Sequence, residues 1–88
     1  MEKPVYTAVI IDDEQSARDV LHSQLEAFPE VKVIDTADNG IDGYYIITKH
    51  QPDIASVDID MPGKTGVEIL KEIHNVYNNI KVVFIHSR

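Results

Sequence analysis

Apolar residues in this chain fall into short runs that are separated by stretches with helical spacing. Residues 9–11, 54–57 and 82–85 are rich in Val and Ile and are bounded by Pro, Gly or Asp. Such runs are typical of strands buried on both faces rather than of surface helices. A weaker run, residues 31–34, alternates apolar and polar positions. The pattern therefore predicts four strands.

Between these runs, apolar residues recur at intervals of three and four, which places them on one face of a helix. Pro29 is predicted to end the first helix, and Asn39 is predicted to cap the second. The three apolar stripes consist of Ala17, Val20, Leu21, Leu25 and Phe28; of Tyr44, Ile46 and Ile47; and of Val67, Leu70, Ile73 and Val76 or Tyr77.

The predicted element order is βαβαβαβ, which favours an α/β fold. Strands that alternate with helices form a doubly wound parallel sheet, with right-handed crossovers and helices on both faces. The chain has 88 residues, which is enough for one small domain, and we expect residues 1–88 to form it.

Acidic residues follow two of the predicted strands. Asp12 and Asp13 end the first apolar run, while Asp58 ends the third and is followed by Asp60. Ligands of parallel α/β sheets bind beyond the carboxyl ends of the strands, so topology gathers residues that are far apart in sequence. If the two strands are neighbours, three carboxylates converge closely enough to share a divalent cation. Without a cation they would repel one another, and one would tend to stay protonated.

The composition excludes several classes of function. Lys and Arg number 8 against 15 Asp and Glu, giving a net charge of −7, and the basic residues are not clustered. This balance argues against binding of nucleic acid or an anionic membrane. There is no Cys, no basic and apolar leader, and no apolar stretch long enough to span a membrane. We therefore expect a soluble cytoplasmic domain without membrane or nucleic-acid contacts.

With these residues in place, the chain resembles the receiver domain of two-component response regulators, within the CheY-like superfamily. The matching motifs are residues 10–14, 37–40, 52–53 and 58–63, the last followed by Gly66. Together they cover nearly the whole chain. Residues 13–18 and 28–30 look most like receivers of LytTR-type transcriptional regulators. The resemblance implies a flavodoxin-like sheet and a role in regulating an output, transcription in that type, which lies outside this chain.

The resemblance also implies site roles. Asp58 would be the phosphoacceptor, and Asp13 and Asp58 would ligate Mg²⁺ directly, with the backbone carbonyl of Asp60 as a further ligand and Asp12 acting through water. Mg²⁺ takes hard oxygen ligands and keeps several waters, which suits a shallow acidic pocket. The implied phosphodonor is a sensor histidine kinase or a small molecule such as acetyl phosphate. Apart from accepting and slowly losing this group, the domain is not expected to be an enzyme.

The chain departs from the family pattern near its end. Receivers usually carry Thr or Ser after the fourth strand, but this switch position falls on His86, with Ser87 next. Arg88 precedes the expected fourth helix, fifth strand and fifth helix, so the receiver looks truncated, and no residue takes the role of the phosphate-binding Lys. An exposed fourth-strand edge predicts a homodimer, through edge pairing or exchanged elements.

Two alternatives stay open at this point. The domain could be a receiver-like interaction module that is never phosphorylated, as the truncation and His86 would suggest. Asp58 and Asp60 also imitate the nucleophile and general acid of haloacid-dehalogenase phosphohydrolases, although Asp12 and Asp13 have no place in that mechanism.

Overall fold

The computed structural model describes residues 5–58, 61, 68, 71 and 80–85, with the side chains of residues 82–85 excepted. The elements with defined bounds are β1 (Tyr6–Ile11), α1 (Gln15–Glu26), β2 (Val31–Ala37), α2 (Gly40–His50), β3 (Ile54–Asp58) and β4 (Lys81–Ile85). Glu68 and Lys71 are helical and exposed, in agreement with the third predicted helix. The apolar stripe of that helix lies outside the described residues.

The four strands form one parallel sheet in the order β2-β1-β3-β4. The crossover through α1 runs outward from β1 to β2, and the crossover through α2 returns over β1 to β3. Right-handed crossovers in opposite directions place the two helices on opposite faces of the sheet. The predicted flavodoxin-like, doubly wound architecture is therefore confirmed.

The core on the α2 face explains why the central strands are apolar throughout. Ile47 of α2 is fully buried in a cluster that includes Val9 and Ile11 of β1 and Val57 of β3. Helix α2 begins as predicted, because the Asn39 side chain accepts a hydrogen bond from the Asp42 N–H at 2.8 Å. No helix in the described part of the chain is both long enough and apolar enough to cross a membrane.

Gly43 marks the closest approach of α2 to the sheet. A Cβ at residue 43 would lie 2.8 Å from both Cδ1 and Cγ2 of Ile11, which is fully buried. Gly43→Ala is therefore expected to destabilise the fold by about 1–3 kcal/mol, because overpacking outweighs the helix propensity gained by Ala. Urea denaturation measures this change.

The control for Gly43→Ala is a double-mutant cycle with Ile11→Ala, in which the clashing side chain is removed. The cost of the alanine at residue 43 should shrink or reverse in that background. A Gly43→Ala variant as stable as the wild type would contradict the proposed close approach.

Helix α1 forms where it was predicted, but its apolar stripe is only partly covered, since none of its residues is fully buried. Ala17, Leu21 and Leu25 are half-buried, but Val20 is 55% exposed. Phe28 lies beyond the helix end at Glu26 and is 59% exposed. Among the described elements, α1 packs mainly against β1 and β2, so the side of the helix turned away from these strands stays exposed.

Strand β2 is longer than the predicted residues 31–34. Its register shifts after Ala8, so that Val9 lies opposite Asp35 and Ile34 forms a bulge. In the described sheet β2 has one neighbouring strand, so polar residues beyond Ile34 keep access to solvent. Two carboxylates also occupy backbone donors here: Glu26 Oε2 accepts from the Val33 N–H, and Asp35 Oδ1 accepts from the Thr36 N–H, both at 2.9 Å.

Hydrogen bonds of Asp53 connect the amino ends of the central strands. Asp53 Oδ2 accepts a 2.8 Å hydrogen bond from the Thr7 N–H, while the Asp53 N–H donates to the Thr7 carbonyl at 3.0 Å. The Lys81 N–H donates to the Asp53 carbonyl at 2.9 Å, which attaches β4 to the same point. These bonds fix the register that brings the opposite, carboxyl ends of β1 and β3 together.

Candidate functional site

The strand register brings three predicted aspartates together. Ile11 of β1 lies opposite Val57 of β3, so the next residues, Asp12 and Asp58, are neighbours at the carboxyl edge of the sheet. Asp13 follows directly, and one carboxylate oxygen from each of the three residues lies within 4.8 Å of the others. In the described residues this is the one group of acidic or imidazole side chains arranged to hold a metal ion.

Burial differs among the three carboxylates. Asp12 and Asp58 are each 1% exposed, whereas Asp13 is half-buried. The two buried aspartates therefore form the floor of the site, and Asp13 lies nearer to solvent. A ligand that enters from solvent could contact oxygens of the half-buried carboxylate and of the two buried carboxylates.

Asp12 is held by three hydrogen bonds. Its N–H donates to the Ala37 carbonyl at 3.0 Å, extending the ladder between β1 and β2. Its Oδ1 accepts from the Glu14 N–H at 2.9 Å, and its backbone carbonyl accepts from Arg18 Nη1 at 2.7 Å. The turn from β1 into α1 is thus built around Asp12.

The other carboxylate oxygen of Asp12 lacks a hydrogen-bond donor among the described residues, although it is buried. Burial raises the pKa of Asp12, and the negative charges of the neighbouring Asp58 and Asp13 carboxylates raise it further. The Glu14 N–H acts in the opposite direction and lowers this pKa. A buried carboxylate oxygen without a donor and two more carboxylates beside it suit a hard divalent cation, which prefers oxygen ligands.

Other predicted site residues, Asp60, His86 and Ser87, lie outside the described residues. Two histidines have acidic partners away from the cluster. His50 Nε2 lies 3.0 Å from Asp35 Oδ2, and His22 Nε2 lies 3.5 Å from Glu26 Oε1.

The sequence pattern did not reveal the contact between Arg18 and Asp12. The available signal is a basic residue six positions after Asp12, in the first turn of α1, where a long side chain can reach back to the strand end. Its partner is a backbone carbonyl, which leaves no trace in the amino-acid sequence.

A sequence profile of the response regulator receiver domain matches residues 8–88. The chain belongs to the response regulator receiver family. This membership argues against the phosphohydrolase alternative and agrees with an acidic site at the carboxyl edge of a parallel sheet.

One relative of this receiver is an uncharacterised response regulatory protein of Vibrio cholerae, which is 36% identical over 86 residues, covering 97% of this chain and 33% of that protein. Among such curated relatives, the part that aligns with this receiver is 18% to 33% of the relative's own length. These relatives and structures include protein-glutamate methylesterases and a LuxR-family regulator, so they do not single out the LytTR type.

Solved structures share the receiver fold. The receiver domain of a putative response regulator NarL from Mycobacterium tuberculosis aligns with a TM-score of 0.91 at 26% identity, covering 98% of this chain and 69% of that one. A chain of the CheX–CheY–BeF₃–Mg²⁺ complex from Borrelia burgdorferi aligns with a TM-score of 0.83 at 27% identity, covering 94% of this chain and 63% of that one.

Proposed function

We propose that this receiver is a phosphorylation switch in which Asp58 accepts a phosphoryl group from a sensor histidine kinase. The observation that carries the proposal is the convergence of Asp12, Asp13 and Asp58 at one edge of the sheet. The family motif supplies the kind of reaction and the choice of Asp58 as the acceptor, and the proximity of the three carboxylates supports that choice.

The proposed cofactor is Mg²⁺, ligated by Asp13 and Asp58 directly and by Asp12 through water. The backbone carbonyl of Asp60 is proposed as a further ligand on the strength of the family motif. The donor set supports this choice, because the three side chains offer only oxygens and one buried oxygen of Asp12 has no hydrogen-bond donor within the described part of the chain. When bound, the cation supplies positive charge that offsets the carboxylates and the incoming phosphoryl oxygens.

The main contribution of the chain's own residues to phosphoryl transfer is to position the reacting carboxylate. The buried end of β3 holds the Asp58 carboxylate in place. One oxygen of this carboxylate attacks the phosphorus atom while the bond from phosphorus to the donor's histidine nitrogen breaks. The donor imidazole leaves with that electron pair, and Asp58 becomes an acyl phosphate. Phosphoryl transfer depends mostly on alignment and charge neutralisation, so little further machinery is needed.

The product carries roughly −1.5 to −2 of added charge on Asp58, within the acidic site. We propose that His86, or Ser87 beside it, responds to this charge, as the residue after the fourth strand does in the family. The output, including transcriptional regulation and a LytTR-type partner domain, is likewise proposed and lies outside this chain.

Incubation with acetyl phosphate and Mg²⁺, followed by intact-mass measurement, tests the proposed function. The wild-type chain should gain the mass of one phosphoryl group, and Asp58→Asn should gain none. Asp19→Asn is the matched control, because it removes one exposed carboxylate of α1 and should be labelled like the wild type. Equal labelling of Asp58→Asn would refute Asp58 as the acceptor, and an unlabelled wild type would favour the unphosphorylated interaction module.

We also propose that the chain forms homodimers through the β4 edge or by exchange of elements. β4 lies at one end of the strand order, opposite β2, whose backbone donors at Val33 and Thr36 are occupied by carboxylates. Unpaired strand edges are templates for pairing with another chain. Sedimentation velocity should show a dimer fraction that increases with protein concentration, and a strictly monomeric chain at high concentration would contradict the proposal.

A further inference from the structure

Arg18 contacts the peptide bond that joins two of the proposed metal ligands. Its Nη1 donates a 2.7 Å hydrogen bond to the carbonyl oxygen of Asp12, which belongs to the peptide group between Asp12 and Asp13. Arg18 is half-buried in the first turns of α1, and its own N–H is held by the Glu14 carbonyl at 3.1 Å. The helix thus provides a fixed base from which the guanidinium reaches back to the strand end.

We infer that Arg18 is a positioning residue for the metal site, which sets the angle between the carboxylates of Asp12 and Asp13. The hydrogen bonds from Asp12 to Ala37 and from Glu14 to Asp12 fix the backbone and side chain of Asp12 itself. The bond from Arg18 restrains rotation of the peptide plane that follows, and that rotation sets where the Asp13 side chain points. The inference rests on the proposed function, because it concerns the same site.

The chemistry of the contact favours arginine. A hydrogen bond from a charged donor to a neutral carbonyl is stronger than a hydrogen bond between two neutral groups. The planar guanidinium group is also rigid once one of its nitrogens is held. Lys at the same position keeps the positive charge but offers a single, more flexible point donor. Comparing Arg18→Lys with Arg18→Ala therefore separates the charge of the side chain from its geometry.

Two grooves that Arg18 lines suggest a second measurement. Arg18 lines a groove toward β2, with Asp19 and Thr36, and another toward α2, with Asp42 and Tyr45. A small guanidinium ion from solvent can therefore enter the space that Arg18→Ala vacates. If the hydrogen bond to Asp12 is what matters, added methylguanidinium should restore part of the function lost in this variant.

Isothermal titration of the metal-free chain with Mg²⁺ tests the inference. Replacing a residue that orients metal ligands typically weakens metal binding by about 10- to 100-fold, and for Arg18→Ala we expect the Kd for Mg²⁺ to rise about 10-fold. Arg18→Lys should give an intermediate Kd. Methylguanidinium should lower the Kd of Arg18→Ala relative to KCl at equal ionic strength, and Lys32→Ala, which removes an exposed cation of β2, should bind Mg²⁺ like the wild type.

Thermal melting separates positioning from simple support of the fold. Arg18→Ala should melt close to the wild type in EDTA but gain less stability from Mg²⁺. Unchanged Mg²⁺ affinity in both Arg18 variants would overturn the inference, as would an unfolded Arg18→Ala beside an Arg18→Lys that binds Mg²⁺ like the wild type. If the wild-type chain itself fails to bind Mg²⁺, the proposed function fails, and the inference with it.

Discussion

Chelation of divalent cations by EDTA is expected to reduce labelling of Asp58 by acetyl phosphate to background. One oxygen from each of the three aspartates lies within 4.8 Å of the others. At an effective dielectric constant of about 20, two unit charges at such a separation repel by at least about 3 kcal/mol. An incoming phosphoryl group adds further negative charge at the same point, so the metal-free site opposes its approach. Intact-mass measurement before and after chelation records the loss of labelling.

Two controls show whether the loss comes from this site. Mg²⁺ in excess over EDTA should restore labelling of the wild-type chain. Asp13→Asn keeps the Asp58 nucleophile but removes a proposed ligand, so it should be labelled weakly even with Mg²⁺ present. Undiminished labelling of the wild type in EDTA would show that the carboxylates accept the phosphoryl group without a cation.

The site was predictable from the sequence because topology, rather than local spacing, brings its residues together. Two apolar runs that end in Asp predict two buried strands, and parallel pairing then places Asp12 and Asp58 side by side at one edge. The depth of each carboxylate was not predictable. The burial of Asp12 depends on the turn that follows β1, and that turn is built from hydrogen bonds of Asp12 with Glu14, Ala37 and Arg18.

Two details of the fold could not be predicted from the sequence, because the hydrophobicity of a residue indicates burial only where a neighbouring element covers it. Val20 and Phe28 follow the helical spacing of a buried stripe, yet both are more than half exposed. In β2, the residues after Ile34 lie outside the predicted apolar run because they are mostly polar, but a strand with a bulge and one neighbour in the described sheet accommodates them. Central strands were predicted well because both of their faces are covered.

Replacing Asp12 with Asn is expected to stabilise the metal-free chain at neutral pH by about 0.5–2 kcal/mol, the usual gain from relieving one unfavourable feature of a fold. Burial is the main reason that the pKa of Asp12 is raised, and the nearby charges of Asp58 and Asp13 add to it. Asn keeps a carbonyl oxygen for the Glu14 N–H, and its amide can donate to Asp58 in place of the proton that a protonated Asp12 would supply. The substitution therefore removes the unfavourable charge and preserves the turn.

The pH dependence gives this prediction its sign. Because the pKa of Asp12 is higher in the folded chain than in the unfolded chain, the folded state binds more protons between the two values, and stability falls as pH rises through that window. The advantage of Asp12→Asn should therefore be small at low pH, where Asp12 is protonated, and should grow as the pH rises through the raised pKa of Asp12. Urea denaturation in EDTA at several pH values measures the difference, with Asp19→Asn as the exposed control. Mg²⁺ should also stabilise Asp12→Asn less than the wild type, because the variant has less repulsion for the cation to relieve. A constant difference between variant and wild type at all pH values would show that the buried charge of Asp12 is not its source.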